Sequence, residues 1–208
     1  MKSYTGFTEQ TAENLLLDSG AYFKNYEVGK DTFETAVAAG KLLGATKGGG
    51  EFSATPTVRK IEVDGVRGRA KGLERLDEWE VYINANVLEV TKDTLVHALG
   101  AAKVDEGTIA NYTVISGKNE IDLTDYINNI TWIGTISGTN EPVIIQVYNA
   151  LGVDGLKLTT KDKDDTVVAM KFYGHYEPAK LDKPPFDIYY PKADAAAAAN
   201  VEDDGTEG

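Results

Sequence analysis

Along "WEVYINANVLEV", Trp79, Val81, Ile83, Ala85 and Val87 alternate with Glu80, Tyr82, Asn84 and Asn86. A period of two gives an extended strand one apolar and one polar face, whereas a helix turning every 3.6 residues scatters the same set around its axis. This segment commits the chain to β-sheet. Runs rich in Val, Ile, Thr and Tyr recur at "NYTVIS", "NITWIGTIS", "PVIIQVYNA", "DTVVAMKFYGHYEP" and "FDIYYP", set apart by Gly, Asp and Asn clusters. Ahead of Trp79, Phe52, Ala54 and Val58 hold the even phase and Ile61 and Val63 the odd one, which predicts a bulge or kink near Arg59 and Lys60. These two strands form a long hairpin, joined by a connection from Asp64 to Glu78 that is too long for a tight turn.

One helix interrupts the strands. Thr91 caps "KDTLVHALGAA", Asp93 sits in the first turn, and Leu95, Leu99 and Ala102 form one stripe that covers an open end or face of the sheets. A second helix starts at Asp31, with Glu34 three residues on in a capping-box arrangement, and runs through Phe33, Val37 and Leu43 until "GATKGGG" ends it. The expected architecture is mainly β: a sandwich or barrel with one flanking α-helix, a long hairpin loop and an extended C-terminal tail. At 208 residues and 42% hydrophobic content the chain fits one domain. Residues 1–192 carry it, with an N-terminal arm and long loops. Residues 193–208 hold five carboxylates and no Lys or Arg, and read as an acidic, disordered tail.

Charge is unevenly spread. Between Arg59 and Arg75, six basic residues face Glu62, Asp64 and Glu74, a local +3 in a chain that stands at −12. Such an excess of carboxylates argues against a surface that grips nucleic acid, since phosphate contacts need clustered Lys and Arg. With no Cys, disulfides, thiolate metal sites and cysteine nucleophiles are excluded. No run of about 18 apolar residues is present, and the start lacks a signal-peptide core, so the sequence reads as a soluble protein made in a cytoplasm.

Little in the chain reads as catalysis. His97 lies within the predicted helix and His175 in a Tyr-rich strand, with no HExxH and no carboxylate spacing that completes a metal site. "GATKGGGEF" lacks the GK[ST] end of a phosphate loop, and no G-x-S-x-G occurs. Asp162, Asp164 and Asp165 lack the glycine and distal glutamate of an EF-hand loop and are offset by Lys161 and Lys163, as in a solvated turn. No metal or cofactor is expected, and the chain reads as a non-enzyme. A non-catalytic glycan-binding β-sandwich remains an alternative, with Tyr82, Asn84 and Asn86 on the polar face of one strand as its candidate surface.

Taken in order, "NLLLDSGAYFKNY", "LLGATKGGGEFSATPTVRKIEVDGVRGRAKGLER", "NYTVISGKNEIDLTDYINNITWIGTISG", "EPVIIQVYNALGVDGLKLTTKDKDD" and "FYGHYEPAKLDKPPFDIYYPK" resemble the tail tube proteins, or major tail proteins, of long-tailed bacteriophages and prophages. "GATKGGGEFSATPTVRKIEVDG" and "PPFDIYYP" are the most specific parts. The likeness spans about residues 14 to 192; the tail beyond Lys192 and "EVGKDTFETAVAAGK" carry none of it. The resemblance implies a β-sandwich with a flanking helix, in a virion structural protein that forms hexameric rings. Rings stack around a tape measure protein between tail initiator and terminator proteins, in the host cytoplasm, into a channel for DNA, with no membrane insertion. An acidic lumen then repels passing phosphates, and the basic hairpin loop bearing Arg67, Arg69, Lys71 and Arg75 is expected at an acidic face of the next ring. Gly65, Gly68 and Gly72 suit a loop that orders on stacking.

Overall fold

The computed structural model describes residues 5–160 and 162–192; the acidic tail, 193–208, lies outside the described residues. Among these, nine strands and two α-helices follow in order: β1 (Leu16–Lys24), α1 (Phe33–Ala38), β2 (Thr46–Lys60), β3 (Glu74–Val87), α2 (Lys92–Leu99), β4 (Ala102–Asp105), β5 (Val114–Gly117), β6 (Ile127–Ile136), β7 (Val143–Gly152), β8 (Val168–Tyr173) and β9 (Phe186–Tyr189). The fold is mainly β, as the alternation requires. In β3, Val81, Ile83, Ala85 and Val87 are buried while Tyr82, Asn84 and Asn86 are half-buried on the other face.

Seven strands form one antiparallel sheet in the order β1-β6-β7-β8-β3-β2, with β9 added on β7. The free edge of β7 is divided: Ile144 to Val147 pair with β9, and Leu151 and Gly152 pair with β8. Between these stretches Asn149 takes φ 46°, a left-handed conformation that Asn tolerates better than most residues. The bend lets one strand serve two layers, and the sheet curls into a half-barrel around a core that includes Ile83, Ile130, Val147 and Phe172. β4 and β5 pair separately beside α2.

The outer face of the β1-β6-β7 layer is covered by a second, smaller apolar cluster of Phe23, Tyr26, Ala36 and Ile144. The cover comes from the segment around "EVGKDTFETAVAAGK", which contributes Ala36 from α1. Beneath it, Asn129, Thr131 and Gln146 are buried and joined by hydrogen bonds to one another and to the Tyr26 backbone.

Several boundaries differ from expectation. Thr91 does cap α2, its Oγ1 accepting from the Thr94 N–H at 3.1 Å, but the helix stops at Leu99 because Gly100 has φ 70°, and Ala102 begins β4. Its buried residues are Thr94 and Ala98, so the packed stripe lies one position from Leu95 and Leu99. For α1 the cap is Thr32, not Asp31; Asp31 instead accepts the Glu27 N–H and ion-pairs Lys41. Phe33 and Val37 are substantially exposed, and Leu43 lies beyond the helix. β1 is not anticipated by alternation because Asp18 and Gly20, both at positive φ, interrupt its pairing between Leu17 and Ala21.

Candidate functional site

The β2–β3 hairpin is paired from Gly50 and Ala85 to Lys60 and Glu74. Its inner part belongs to the core, with Phe52 and Trp79 both packed on Phe186 of β9. Beyond the Pro56–Trp79 pair, residues 57–60 and 74–78 are all exposed, so two strands continue past the body of the protein. The connection is 61–73, shorter than the Asp64-to-Glu78 loop expected, because the strand pairing holds four residues before Glu78. The Ile61 N–H donates to the Leu73 carbonyl at 2.7 Å, closing the base of the tip. Gly65, Gly68 and Gly72 take φ of 83°, 104° and 90°, which only glycine adopts without strain at successive turns.

The predicted bulge exists but sits on the other strand. Thr57 pairs with Glu78 and Val58 with Leu76, which leaves Asp77 as the extra residue. Ile61 and Val63, whose phase suggested a kink at Arg59 and Lys60, lie in the tip and carry no strand phase. Asp77 is held by Arg59, whose Nε lies 3.1 Å from Oδ2. The bulge restores Leu76 to the side of the hairpin that carries Val58, Pro56 and Trp79. Val58 is 45% and Leu76 52% exposed. The sequence signal for this pair is the spacing of Leu76 and Trp79, three apart, which share a strand face only if one residue between them is looped out.

Of the four basic residues expected to act together, Arg67, Arg69 and Lys71 lie in the tip and Arg75 does not. Arg75 is in β3, opposite Arg59, and its Nη1 donates to the carbonyls of Glu74 at 3.0 Å and Gly72 at 3.4 Å. Arg69 ion-pairs Glu74 at 3.2 Å. Arg67 and Lys71 make no ion pair among the described residues and point their charge into solvent. Exposed pairs such as Arg69–Glu74 contribute about 0–1 kcal/mol, so this charge adds little to folding.

Other candidate groups have local partners. His175 shares a 2.9 Å hydrogen bond between Nδ1 and the Asn149 carbonyl oxygen and meets the Tyr126 ring edge-on at 5.1 Å. His97 is half-buried on α2, its Nε2 is shut off from solvent with no hydrogen-bond partner among the described residues, and desolvation holds its pKa below the ordinary value, with the Lys24 charge adding to the effect. Asp164 and Asp165 are bridged by Lys47 at 3.1 and 3.3 Å, a partner remote in sequence, which holds the turn against the start of β2. The carboxyl of Asp164 is held below its ordinary pKa chiefly by that lysine. Tyr82 donates to Glu51 at 2.8 Å, and Lys171 places its ammonium 4.0 Å from the Tyr82 ring centre and 4.7 Å from that of Tyr173. The two rings are tilted 49° to each other, so this face carries a cation-capped pair and no flat aromatic platform.

Among the described residues no three His, Cys, Asp or Glu side chains converge on a point where a metal would sit, and no helix is long and apolar enough to cross a membrane. The mouth of the half-barrel, between edge strands β1 and β2, is a cleft of about 450 Å³ bordered by Leu16, Tyr22, Gly50, Phe52 and Trp132. Its glycines explain "GATKGGG" without a phosphate: Gly48 and Gly49 take positive φ in an irregular stretch of β2, and a Cβ at Gly50 would overlap the Tyr22 hydroxyl. Neither a scan against protein-family models nor a search of curated proteins finds a match to this chain.

Proposed function

We propose that this chain is a structural virion protein of a long-tailed bacteriophage or prophage, a subunit that polymerises as stacked hexameric rings into the tail tube through which DNA passes into the host. The observation that carries the reading is the projecting hairpin, ordered by strand pairing, displayed beyond the body, and tipped by Arg67 and Lys71 with no ion-pair partner among the described residues. Outside the stretch from Arg59 to Arg75 the chain carries −15, so a second copy offers the tip an anionic surface, and opposite charge both sets register and speeds encounter.

The free edge of β2, and that of β1 ahead of Tyr22, where the Lys41–Leu43 segment no longer pairs with it, support the same reading, since unpaired strand edges are sites where a neighbouring copy adds its own sheet. Arg67, Arg69 and Lys71 then contact the next ring, while Arg75 braces the tip through its bonds to the backbone. The carboxylate excess suits a channel that must not hold the phosphates moving through it. The hexameric count, the tape measure protein inside and the initiator and terminator at the ends come from the sequence resemblance. The role asks for no catalysis and no cofactor, and its place is the virion tail after assembly in the host cytoplasm.

Negative-stain electron microscopy of the purified protein over a concentration series, with light scattering on the same samples, tests the reading. Rings or hollow stacked tubes are the expected result. A dispersed monomer at every concentration would overturn it.

A further inference from the structure

We infer that the apolar seam formed by Val58 and Leu76 on the projecting hairpin is buried against a second copy of this chain, and that this seam carries the affinity of the contact that the basic tip steers. The inference rests on the self-assembly proposed above and names the packing surface of that same hairpin.

The seam is a continuation of the protein's own core. On β2 the side chains of Phe52, Ala54, Pro56 and Val58 share one face, and on β3 Val81 and Trp79 oppose Ala54 and Pro56 on that face. Without an extra residue, the next position on this face of β3 would be Asp77. The bulge diverts Asp77 outward to Arg59 and brings Leu76 opposite Val58. Phe186, whose ring centre lies 5.4 Å from that of Trp79, covers the row at Trp79. One step further out Val58 and Leu76 stand half exposed, followed by Val63 and Val66 in the tip at 48% and 40%. A hairpin serving only as a solvated loop has no need of a bulge that turns a leucine onto its apolar face, and contiguous exposed apolar residues rimmed by charge mark interaction surfaces.

The occupant is a second copy on grounds of charge. The Arg59-to-Arg75 stretch is +3, and the remainder of residues 1–192 in each copy is −10, so the surface best suited to receive this rim is the body of another subunit. Interface affinity concentrates in a few desolvated side chains surrounded by polar contacts that add little. Val58 and Leu76 have the central position, and Arg67, Arg69 and Lys71 the rim.

The test compares wild type with the double variant Val58→Asp, Leu76→Asp and with the milder Val58→Thr, Leu76→Thr, which places a β-branched residue at both strand positions. Assembly is followed by analytical ultracentrifugation and negative-stain microscopy, and each monomer is melted at a concentration below assembly. The expected result is a rise of about tenfold or more in the concentration at which assemblies appear, with the monomer's Tm unchanged. Normal assembly of both variants would overturn the seam and leave the tube-subunit reading standing. A wild type that never assembles overturns both. A fall in the monomer's Tm for the threonine variant places the seam under this chain's own residues and overturns the inference as well.

Discussion

Gly100, just past the end of α2, packs directly on the carbonyl of Gly152 at the end of β7. A Cβ on Gly100 would overlap that carbonyl oxygen, and one on Gly152 would overlap the carbonyl of His97. The helix therefore docks on the half-barrel backbone to backbone. Gly152→Ala forces the helix away and should lower the unfolding free energy by about 1–3 kcal/mol. Gly100→Ala should lose more, since φ 70° adds backbone strain to the overlap. Gly117→Ala, where nothing lies within 4 Å of the added carbon, is the control. Urea melts of the three compare them directly, and equal midpoints for Gly152→Ala and Gly117→Ala would show that the helix does not sit this close.

The same docking surface makes the fold acid-sensitive. His97 is half-buried, with its Nε2 shut off from solvent and without a partner among the described residues; the charges that act on it are Lys24 from β1 and Asp93 from its own helix, which pair with each other at 2.7 Å. Burial and then Lys24 depress its pKa below the ordinary 6.5, while Asp93 partly opposes them. The unfolded chain takes up the proton first, so stability is lost as pH falls through the unfolded value toward the folded one, with a slope of at most about 1.4 kcal/mol per pH unit. Urea midpoints measured from pH 7.5 to pH 5 should decline for wild type and stay flatter for His97→Leu. Parallel declines would place the acid sensitivity elsewhere.

Beneath α1, the Gln146 Nε2 donates to the Tyr26 carbonyl at 2.8 Å and to Thr131 Oγ1 at 2.9 Å, and its Oε1 accepts from the Tyr148 hydroxyl at 3.2 Å. Gln146→Leu removes these bonds and should cost about 1–3 kcal/mol. Gln146→Glu keeps the shape but sets a carboxylate against the Tyr26 carbonyl oxygen, so at neutral pH it should cost more than the leucine. Because burial raises the pKa of the new acid, protonation restores a donor, and its deficit relative to wild type should shrink between pH 7 and pH 5. A deficit that is constant with pH would mean that water reaches this network.

The β character of the chain was legible because β3, β6, β7 and β9 follow period two or run as continuous apolar segments, and the Thr91 cap was legible because a hydroxyl ahead of an apolar stripe has few other uses. What escaped the sequence has one physical cause in several places. β1 is broken at Asp18 and Gly20, β7 bends at Asn149, and β3 loops out Asp77; each extra or left-handed residue shifts the phase on which an alternation argument depends. The basic residues of the hairpin could be found by composition alone. That Arg75 belongs to a strand and that Leu76 faces Val58 follow from the register, of which "RLDEW" displays only the three-residue spacing of Leu76 and Trp79.

The tip itself gives the final prediction. Arg67, Arg69 and Lys71 are exposed, and of the three Arg69 alone has an ion-pair partner among the described residues, the exposed Glu74. Replacing all three by Glu should change the monomer's Tm by no more than about 4 °C, since exposed pairs contribute about 0–1 kcal/mol. If the tip meets the anionic body of the next subunit, reversal turns attraction into repulsion, and tubes should be absent or markedly shortened in negative stain at low ionic strength. Raising the salt to about 1 M, where the screening length falls to about 3 Å, should then recover part of the assembly in the variant and slow it in wild type. Recovery by salt separates electrostatic steering from a tip that has simply lost its shape, because a misfolded tip has nothing for salt to restore. Tubes of normal length from the reversed variant would remove the basic tip from the contact between rings.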